Sequence, residues 1–310
     1  TMKSFFKHSA FVLSCVMASF AINAEQLTLE RIYSSPSLNG QTPKLLKYSP
    51  DGTRVTYLQG KKEDLNRYDL WEYNLASNSN QLLVDSNDIF SGPEHLSDEE
   101  KARRERKREY GSGIMEYTFS GDGTALIFPL NGDIYYYDLV NKNARRITQT
   151  DAFETDAKFS PSGKFISYIR KQNLYVFNIA SGKEKRLTKD GGGVIKNGMS
   201  EFVAQEEMDR MTGYWWSPND RHIAFLRVDE SSVQVAIRNE IYAEDIKLIE
   251  QRYPATGTNN VAIKLATVDV KSKKIRFIDT GENTDIYIPR VKWMPDSTQL
   301  TYQWQSRDQK

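Results

Sequence analysis

One pattern of hydrophobic and polar residues recurs along the chain. An aromatic residue precedes a short polar turn containing Pro, Asp, Asn or Gly, and a strand of alternating apolar residues follows the turn. The turns span residues 48–52, 119–123, 159–163, 216–220 and 293–297. Pro favours the start of a tight turn, while Gly, Asn and Asp tolerate the reversal of the backbone. The pattern therefore predicts five tight turns that each open a β-strand.

Further alternating segments complete each repeat. Segments 69–75, 133–139 and 173–179 each lead through a polar turn into another short strand, and segment 261–278 repeats this order. Antiparallel units that recur about every 40 residues are typical of the blades of β-propellers. We predict an all-β fold, a β-propeller of four-stranded antiparallel blades. It is incomplete, because the turn motifs mark only about five blade starts.

Three insertions interrupt the repeat, and insertions in such folds often carry function. In the first, residues 89–113, an acidic stretch after Ser97 precedes the basic run 101–108, which predicts a short charged helix capped by Ser97. Because this helix is polar on all sides, it either reaches toward an acidic group or, as is more common, forms a solvated arm. The third insertion, residues 229–260, is a candidate protruding arm, for oligomerisation or for contact with the rest of the protein.

The second insertion, residues 191–213, contains a predicted helical stretch over 202–211 with two adjacent carboxylates, Glu206 and Glu207. Neighbouring helical residues point about 100° apart. The two carboxylates can therefore share one cation only near a helix end or in a distorted turn. Judged without other information, such a pair is most often part of a solvated face.

Composition and charge exclude several classes of protein. The net charge of +1 gives no support for nucleic-acid binding, and 12% aromatic residues are too many for a disordered chain. Cys15 is the only cysteine and lies in the N-terminal segment, so the remainder has no disulfide, thiolate metal site or cysteine nucleophile. His95 and His222 stand singly among polar neighbours. We expect no metal and no cofactor.

The N-terminal segment has the three parts of a secretory signal peptide: a basic start at residues 2–7, an apolar run over 10–22, and small residues up to Ala24. We expect residues 1–24 to be a signal peptide and residues 25–310 to be a partial propeller domain. This expectation places the protein in the periplasm or outside the cell. Cleavage after Ala21 and an uncleaved anchor are the alternatives.

Several segments together resemble the N-terminal half of the dipeptidyl peptidase IV family, and similarity extends from about residue 45 onward. Residues 200–210 with 213–218 resemble the double-glutamate segment of the family, especially in bacterial members and in the branch of dipeptidyl peptidases 8 and 9. Residues 104–114 resemble the arginine arm of that branch. Residues 253–259 match the segment that follows the propeller arm.

The resemblance implies a function for particular residues. Family members join a propeller to a C-terminal α/β-hydrolase domain and release N-terminal dipeptides with Pro or Ala in second position. Glu206 and Glu207 match the pair that binds the free α-ammonium of the peptide. Arg104, or alternatively Arg106 because the run of arginines leaves the register open, matches the arginine that holds a substrate carbonyl. The resemblance also implies a homodimer for the full-length protein.

One departure from the family limits this interpretation. The 310 residues contain no Gly-x-Ser-x-Gly segment, so a Ser-His-Asp triad has no place here and we expect no catalytic residues in this chain. The hydrolase domain is absent from it, and by itself it is expected to be inactive. The favoured function is the substrate-selecting propeller part of a secreted dipeptidyl peptidase. The alternative is a stand-alone periplasmic propeller that serves as a protein-binding scaffold.

Export is predicted to remove the segment that ends at Ala24, because signal peptidases cleave after small residues that follow a short apolar run. N-terminal sequencing of the exported protein should begin at Glu25, or at Ile22 if cleavage follows Ala21. An exported protein that still carries Met2 and Lys3 would show that the segment is an anchor.

Overall fold

The computed structural model describes residues 27–34 and 37–309, so the predicted signal peptide, residues 1–24, lies outside the described residues. A short helix, α1 (Leu29–Tyr33), precedes the first sheet. β-strands make up most of the regular structure. Over the two described ranges, no helix is both long enough and apolar enough to cross a membrane.

Three successive sheets each contain four antiparallel strands in chain order. The first sheet comprises β1 (Lys44–Tyr48), β2 (Arg54–Gly60), β3 (Arg67–Asn74) and β4 (Ser79–Val84). It is followed by α2 (Ser86–Ile89), α3 (Asp98–Arg106) and β5 (Ser112–Gly113), which pairs in parallel with β3. The second sheet comprises β6 (Thr118–Phe119), β7 (Ala125–Leu130), β8 (Asp133–Asp138) and β9 (Asn143–Arg146). The third comprises β10 (Glu154–Phe159), β11 (Phe165–Arg170), β12 (Asn173–Asn178) and β13 (Lys183–Arg186).

The fourth sheet differs because its first strand is split. The sheet comprises β14 (Ile195–Asn197), β15 (Tyr214–Trp216), β16 (His222–Asp229), β19 (Ala262–Asp269) and β20 (Ile275–Phe277). The same segment of the chain also contains α4 (Phe202–Glu207), β17 (Val235–Ile241) and β18 (Ile246–Arg252). Strands β14 and β15 pair with opposite halves of β16, and α4 lies in the loop between them. Strands β17 and β18 form a separate hairpin, which is the predicted arm.

The chain then enters the start of a fifth unit. Its strands are β21 (Ile286–Tyr287), β22 (Val291–Trp293), β23 (Leu300–Tyr302) and β24 (Gln305–Ser306). Strand β22 pairs with β23, and β21 pairs with β24. The Trp293 indole donates a hydrogen bond to the Trp215 carbonyl at 3.1 Å, which ties this unit to the fourth sheet.

The five predicted turns are confirmed, and each precedes a strand. In the first turn, the backbone N–H of Ser49 donates to the Arg54 carbonyl at 2.9 Å, and the Ser49 hydroxyl donates to Asp51 at 2.5 Å. The second turn repeats this arrangement with Ser120 and Asp122 at 2.6 Å. The buried serine satisfies polar groups that the reversal of the chain would otherwise leave unpaired. The repeating turn and strand pairings confirm the predicted four-stranded blades.

Tyr117 joins the second sheet to the first, and we term its set of contacts the tyrosine lock. The Tyr117 side chain is 2% exposed, and its hydroxyl donates to the Leu45 carbonyl at 2.6 Å and accepts from the Thr56 hydroxyl at 3.0 Å. The Lys47 ammonium lies 4.5 Å from the centre of the Tyr117 ring and donates to the Tyr117 carbonyl. Burial raises the pKa of Tyr117 to about 12, so the hydroxyl stays protonated and able to donate.

The same lock recurs between the third and fourth sheets. Tyr214 is fully buried, and its hydroxyl donates to the Asp156 carbonyl and accepts from the Ser167 hydroxyl. The Lys158 ammonium lies 3.7 Å from the centre of the Tyr214 ring and donates to the Tyr214 carbonyl at 2.9 Å. The repeated set of lysine, hydroxyl residue and tyrosine joins adjacent sheets, with the tyrosine and the hydroxyl residue buried and the lysine partly exposed.

Replacing the buried lock should weaken the fold. We expect Tyr214→Phe to lower the free energy of unfolding by about 1–3 kcal/mol, because the Asp156 carbonyl and the Ser167 hydroxyl lose a buried partner. Urea unfolding followed by circular dichroism measures the change. Tyr48→Phe is the matched control, because Tyr48 is 72% exposed and the same loss of a hydroxyl should cost less than about 0.5 kcal/mol. Equal midpoints for the two variants would contradict the role of the lock.

Candidate functional site

Helix α3 is attached to the sheets by buried ion pairs. Arg104 is 8% exposed, with its guanidinium 2.9 Å from Glu94 and 3.1 Å from Glu100. Glu94 also accepts the backbone N–H of Gly113 at 2.8 Å, and Glu100 accepts the Thr155 hydroxyl at 2.9 Å. These contacts connect the helix with β5 and with the third sheet.

A second set of charges lies beside the first. Arg103 binds Glu116 at 2.8 Å, and Lys107 binds the same carboxylate at 3.2 Å. Burial by itself would raise the pKa of Glu116, but the charges of Arg103 and Lys107 lower it to about 2. The helix begins at Ser97 as predicted, with the Ser97 side chain accepting from the backbone of Glu100. The prediction of a solvated arm is wrong, because one side of α3 is buried, with its arginines paired to Glu100 of the helix and to Glu94 and Glu116 of the flanking loops.

The loop that carries α4 is closed by an ion pair. The Glu201 and Arg210 side chains are 1% and 4% exposed, and two hydrogen bonds of 2.8 and 3.0 Å join them. Arg210 also donates to the Ser200 hydroxyl and to the Thr212 carbonyl, both at 2.9 Å. The pair therefore holds together the two ends of the segment that splits the first strand of the fourth sheet.

Glu206 and Glu207 are the last two residues of α4, so both carboxylates lie at a helix end. The helix is shorter than the predicted stretch 202–211, because Met208 leaves the helical conformation and Asp209 has φ of 48°. Unpaired carbonyls at a helix C-terminus carry partial negative charge. Two carboxylates added at this end make it a favourable place for a cation.

The two carboxylates have different surroundings. Glu206 is partly buried, and its oxygens lie 3.8 Å from the Arg106 guanidinium and 3.6 Å from that of Arg108. Glu207 is exposed, and it forms no hydrogen bond or ion pair within residues 37–309. The pair thus combines one carboxylate held by arginines with one that is available to a ligand.

Arg106 links α3 to α4. Its guanidinium donates to the Gln205 side chain at 2.5 Å and lies 4.8 Å from the centre of the Phe202 ring. The Phe202 ring in turn meets Tyr253 edge to face at 5.1 Å. Arg106 is therefore positioned by an amide and by an aromatic face, with only a long ion pair to Glu206.

A cavity of about 1120 Å³ lies between α3, α4 and the hairpin β17–β18. Arg106, Glu206 and Phe202 line one side, and Arg238 and Glu240 from the hairpin line the other. Arg238 also binds Glu105 of α3 at 3.1 Å, which connects the hairpin to the helix. The cavity is large enough for a short peptide, since small-molecule sites commonly occupy about 300–1,000 Å³.

The structure brings together some of the sequence-predicted site residues but not all. Arg106 and Glu206 line the same cavity, whereas Glu207, the next residue of α4, is exposed and does not line it. Arg104 does not line this cavity, and Glu94 and Glu100 already engage its guanidinium. The geometry thus favours Arg106, the alternative assignment, as the arginine that faces the cavity.

Sequence reasoning missed the residues that position these groups. Glu201 and Arg210 flank the observed helix α4, although Arg210 lies within the predicted stretch 202–211, and opposite charges near the two ends of this stretch were the available signal. The contribution of the hairpin, through Arg238 and Glu240, had no local signal, because these residues lie more than 30 positions from Glu206 in sequence.

Comparison with known proteins identifies relatives. A model of the dipeptidyl peptidase IV N-terminal region matches residues 120–310. Dipeptidyl aminopeptidase A from Saccharomyces cerevisiae is 30% identical over 46% of this chain and 16% of its own length. Dipeptidyl peptidase 4 from Bos taurus is 24% identical over 65% of this chain and 29% of its own. The chain thus spans less than a third of the length of either relative.

A solved structure has the same fold. The crystal structure of Porphyromonas gingivalis dipeptidyl peptidase 4 superposes with a TM-score of 0.66 over 85% of this chain and 36% of that chain. Sequence identity in this comparison is 20%, so the similarity concerns the fold. It confirms the predicted incomplete propeller.

The ion pair beneath α4 generates a stability prediction. We expect Arg210→Met to lower the free energy of unfolding by about 3–5 kcal/mol, because it leaves the buried Glu201 carboxylate without its counter-charge. The double change Glu201→Met with Arg210→Met should recover much of this loss, since no buried charge then remains. Thermal unfolding compares the variants.

Lys101→Met is the matched control for this prediction. The Lys101 side chain is 60% exposed in its ion pair with Asp98, so its loss should change stability by less than about 1 kcal/mol. If Arg210→Met were as stable as Lys101→Met, the Glu201–Arg210 pair would not be what holds the loop.

Proposed function

The chain belongs to the dipeptidyl peptidase IV family through its N-terminal region, and on that basis we propose that it is the substrate-selecting propeller part of a secreted dipeptidyl peptidase. In this proposal a C-terminal α/β-hydrolase domain supplies the catalytic groups. The propeller selects peptides with a free N-terminus, from which the enzyme releases dipeptides ending in Pro or Ala. The observation that carries the proposal is that Glu206 lines a peptide-sized cavity at the C-terminal end of α4, where Glu207 is the next residue.

The proposed role of the two carboxylates is to bind the α-ammonium group. At about 4 Å and an effective dielectric near 20, one such pair of charges contributes about 4 kcal/mol of Coulomb energy before desolvation. An acylated or internal residue has no ammonium to offer, so it loses this interaction. The site therefore selects peptide ends and rejects internal segments.

Arg106 is proposed to bind the substrate backbone. Its guanidinium lines the same cavity as Glu206, and the Phe202 ring and the Gln205 amide orient it. An arginine so placed can donate to the carbonyl that follows the ammonium-bearing residue. With an anionic and a cationic contact on the first residue, the peptide enters in one direction and to a limited depth.

A homodimer and an exported location complete the proposal. The hairpin β17–β18 carries exposed large apolar side chains, and Ile237, Ile241 and Leu248 are 65%, 78% and 69% exposed. An apolar surface of this kind on a projecting hairpin favours contact with another protein surface. We propose a second copy of the full-length protein as the partner, in the periplasm or outside the cell, and no nucleic acid.

Neutral substitutions test the proposed ammonium site. In the polypeptide that joins this chain to its hydrolase domain, we expect Glu206→Gln and Glu207→Gln each to lower kcat/KM for a Gly-Pro anilide at least tenfold, about 1.4 kcal/mol of transition-state stabilisation. The double variant should lose more. Activity should also fall above about pH 8, as the substrate amine loses its proton. An N-acetylated substrate should be poor at every pH.

Glu244→Gln is the matched control, because Glu244 lies exposed in the hairpin turn and does not line the cavity. Its kcat/KM should stay unchanged, whereas Arg106→Met should lower kcat/KM with the free-amine substrate. A stably folded double glutamine variant with unchanged kcat/KM would remove the ammonium site. A protein with no peptidase activity at all would favour the alternative, a protein-binding scaffold.

A further inference from the structure

A second cavity, of about 370 Å³, lies between the third and fourth sheets; we term it the outer cleft. Phe165, Val176 and the lysines of β13 line it on one side, and Asp220, Arg221 and segment 270–271 line it on the other. It shares no lining residue with the cavity at Glu206. Its volume falls within the range of small-molecule sites.

Strand register places the lining of the third sheet on one face. Phe165 pairs with Asn178, which pairs with Lys183 on β13, and Val176 pairs with Lys185 in the same way. Residues in such rows project to the same side of a sheet. This side faces the fourth sheet, because the Phe165 ring stacks on Trp216 at 6.0 Å and 18° between planes.

The cleft between the second and third sheets has the same strand positions and provides a comparison. Strands β8 and β12 each have six residues, and Tyr136 occupies on β8 the fourth position that Val176 occupies on β12. The Tyr136 ring meets Phe159 of the third sheet at 6.2 Å, and the Arg145 guanidinium lies 5.5 Å above the ring. Lys185 occupies on β13 the position of Arg145. In the outer cleft Lys185 lies beside Val176 instead of a ring, and the ring that packs on the fourth sheet comes from Phe165, where the second sheet has Ala125.

The charges around the outer cleft are mostly positive. Lys183, Lys185 and Lys271 line it, and within residues 37–309 none of their ammonium groups forms an ion pair. Arg221 is 3.4 Å from Asp269. The Asp220 carboxylate accepts hydrogen bonds from Ser160 and Ser162 and so is directed to the turn. These cations favour an anion over a neutral ligand.

We propose that the outer cleft binds a small aromatic anion, such as an aryl carboxylate or sulfonate. The ring lies against the partly buried Phe165 side chain, beside the buried Val176. The anionic group lies among the ammonium groups of Lys183, Lys185 and Lys271. Stacking and cation–π contact provide the selection for a ring, and the lysines provide the selection for negative charge.

Isothermal titration calorimetry of the full chain with benzenesulfonate tests this site. Benzyl alcohol has the ring without the charge, and methanesulfonate has the charge without the ring. We expect benzenesulfonate to bind at least tenfold more tightly than either comparison compound. Equal affinity for methanesulfonate, or no binding of benzenesulfonate at millimolar concentration, overturns the proposal.

Two independent variants locate the binding. Phe165→Ala removes the ring against which the ligand lies, and Lys183→Met with Lys185→Met removes two exposed charges without touching the core. Each should weaken benzenesulfonate binding at least tenfold. Lys292→Met is the control, because Lys292 is exposed on β22 and does not line the cleft. Affinity that is unchanged in the double lysine variant, folded by circular dichroism, excludes the outer cleft as the site.

Discussion

The buried Glu201–Arg210 ion pair is the contact on which the candidate site depends. It closes the loop that interrupts the first strand of the fourth sheet, and α4 lies within that loop. A split strand gives up ladder hydrogen bonds, and the loop regains buried polar contacts through this ion pair. With the two ends of the loop joined, the end of α4 and its carboxylates Glu206 and Glu207 have one position relative to the sheets.

Charges also position the opposite wall of the site. Arg103 pairs with Glu116, and Arg104 pairs with Glu94 and Glu100. These two arginines therefore hold α3 in place and are not available to a ligand. Arg106, further along the helix, is left to face α4 across the cavity. The arginines of α3 thus have two roles. Those that pair with a buried carboxylate anchor the helix, and Arg106 faces the cavity.

Adjacent sheets of a propeller diverge outward, and the side chains between them decide whether the space is filled. Buried tyrosines such as Tyr117 and Tyr214 close the inner part of two interfaces with hydrogen bonds to the neighbouring sheet. Further out, Tyr136 fills one interface, while Val176 at the matching position leaves the outer cleft. Two differences in side-chain volume, Tyr136 against Val176 and Ala125 against Phe165, therefore distinguish the packed interface from the one with a cavity.

Local pattern was enough to predict the turns, the strands that follow them and the start of α3 at Ser97, because turn chemistry, alternation and capping act over a few residues. The double glutamate and its helix were also visible in sequence. The prediction of a solvated arm is wrong, and the sequence does not choose between Arg104 and Arg106, because both depend on how Glu94, Glu100 and Glu116 are buried around α3 in the folded chain. Sequence by itself determined the repeat and the candidate chemistry. Only the tertiary structure decided which charges are buried, since the burial of a local pair such as Arg104–Glu100 depends on distant residues such as Thr155, which donates to Glu100.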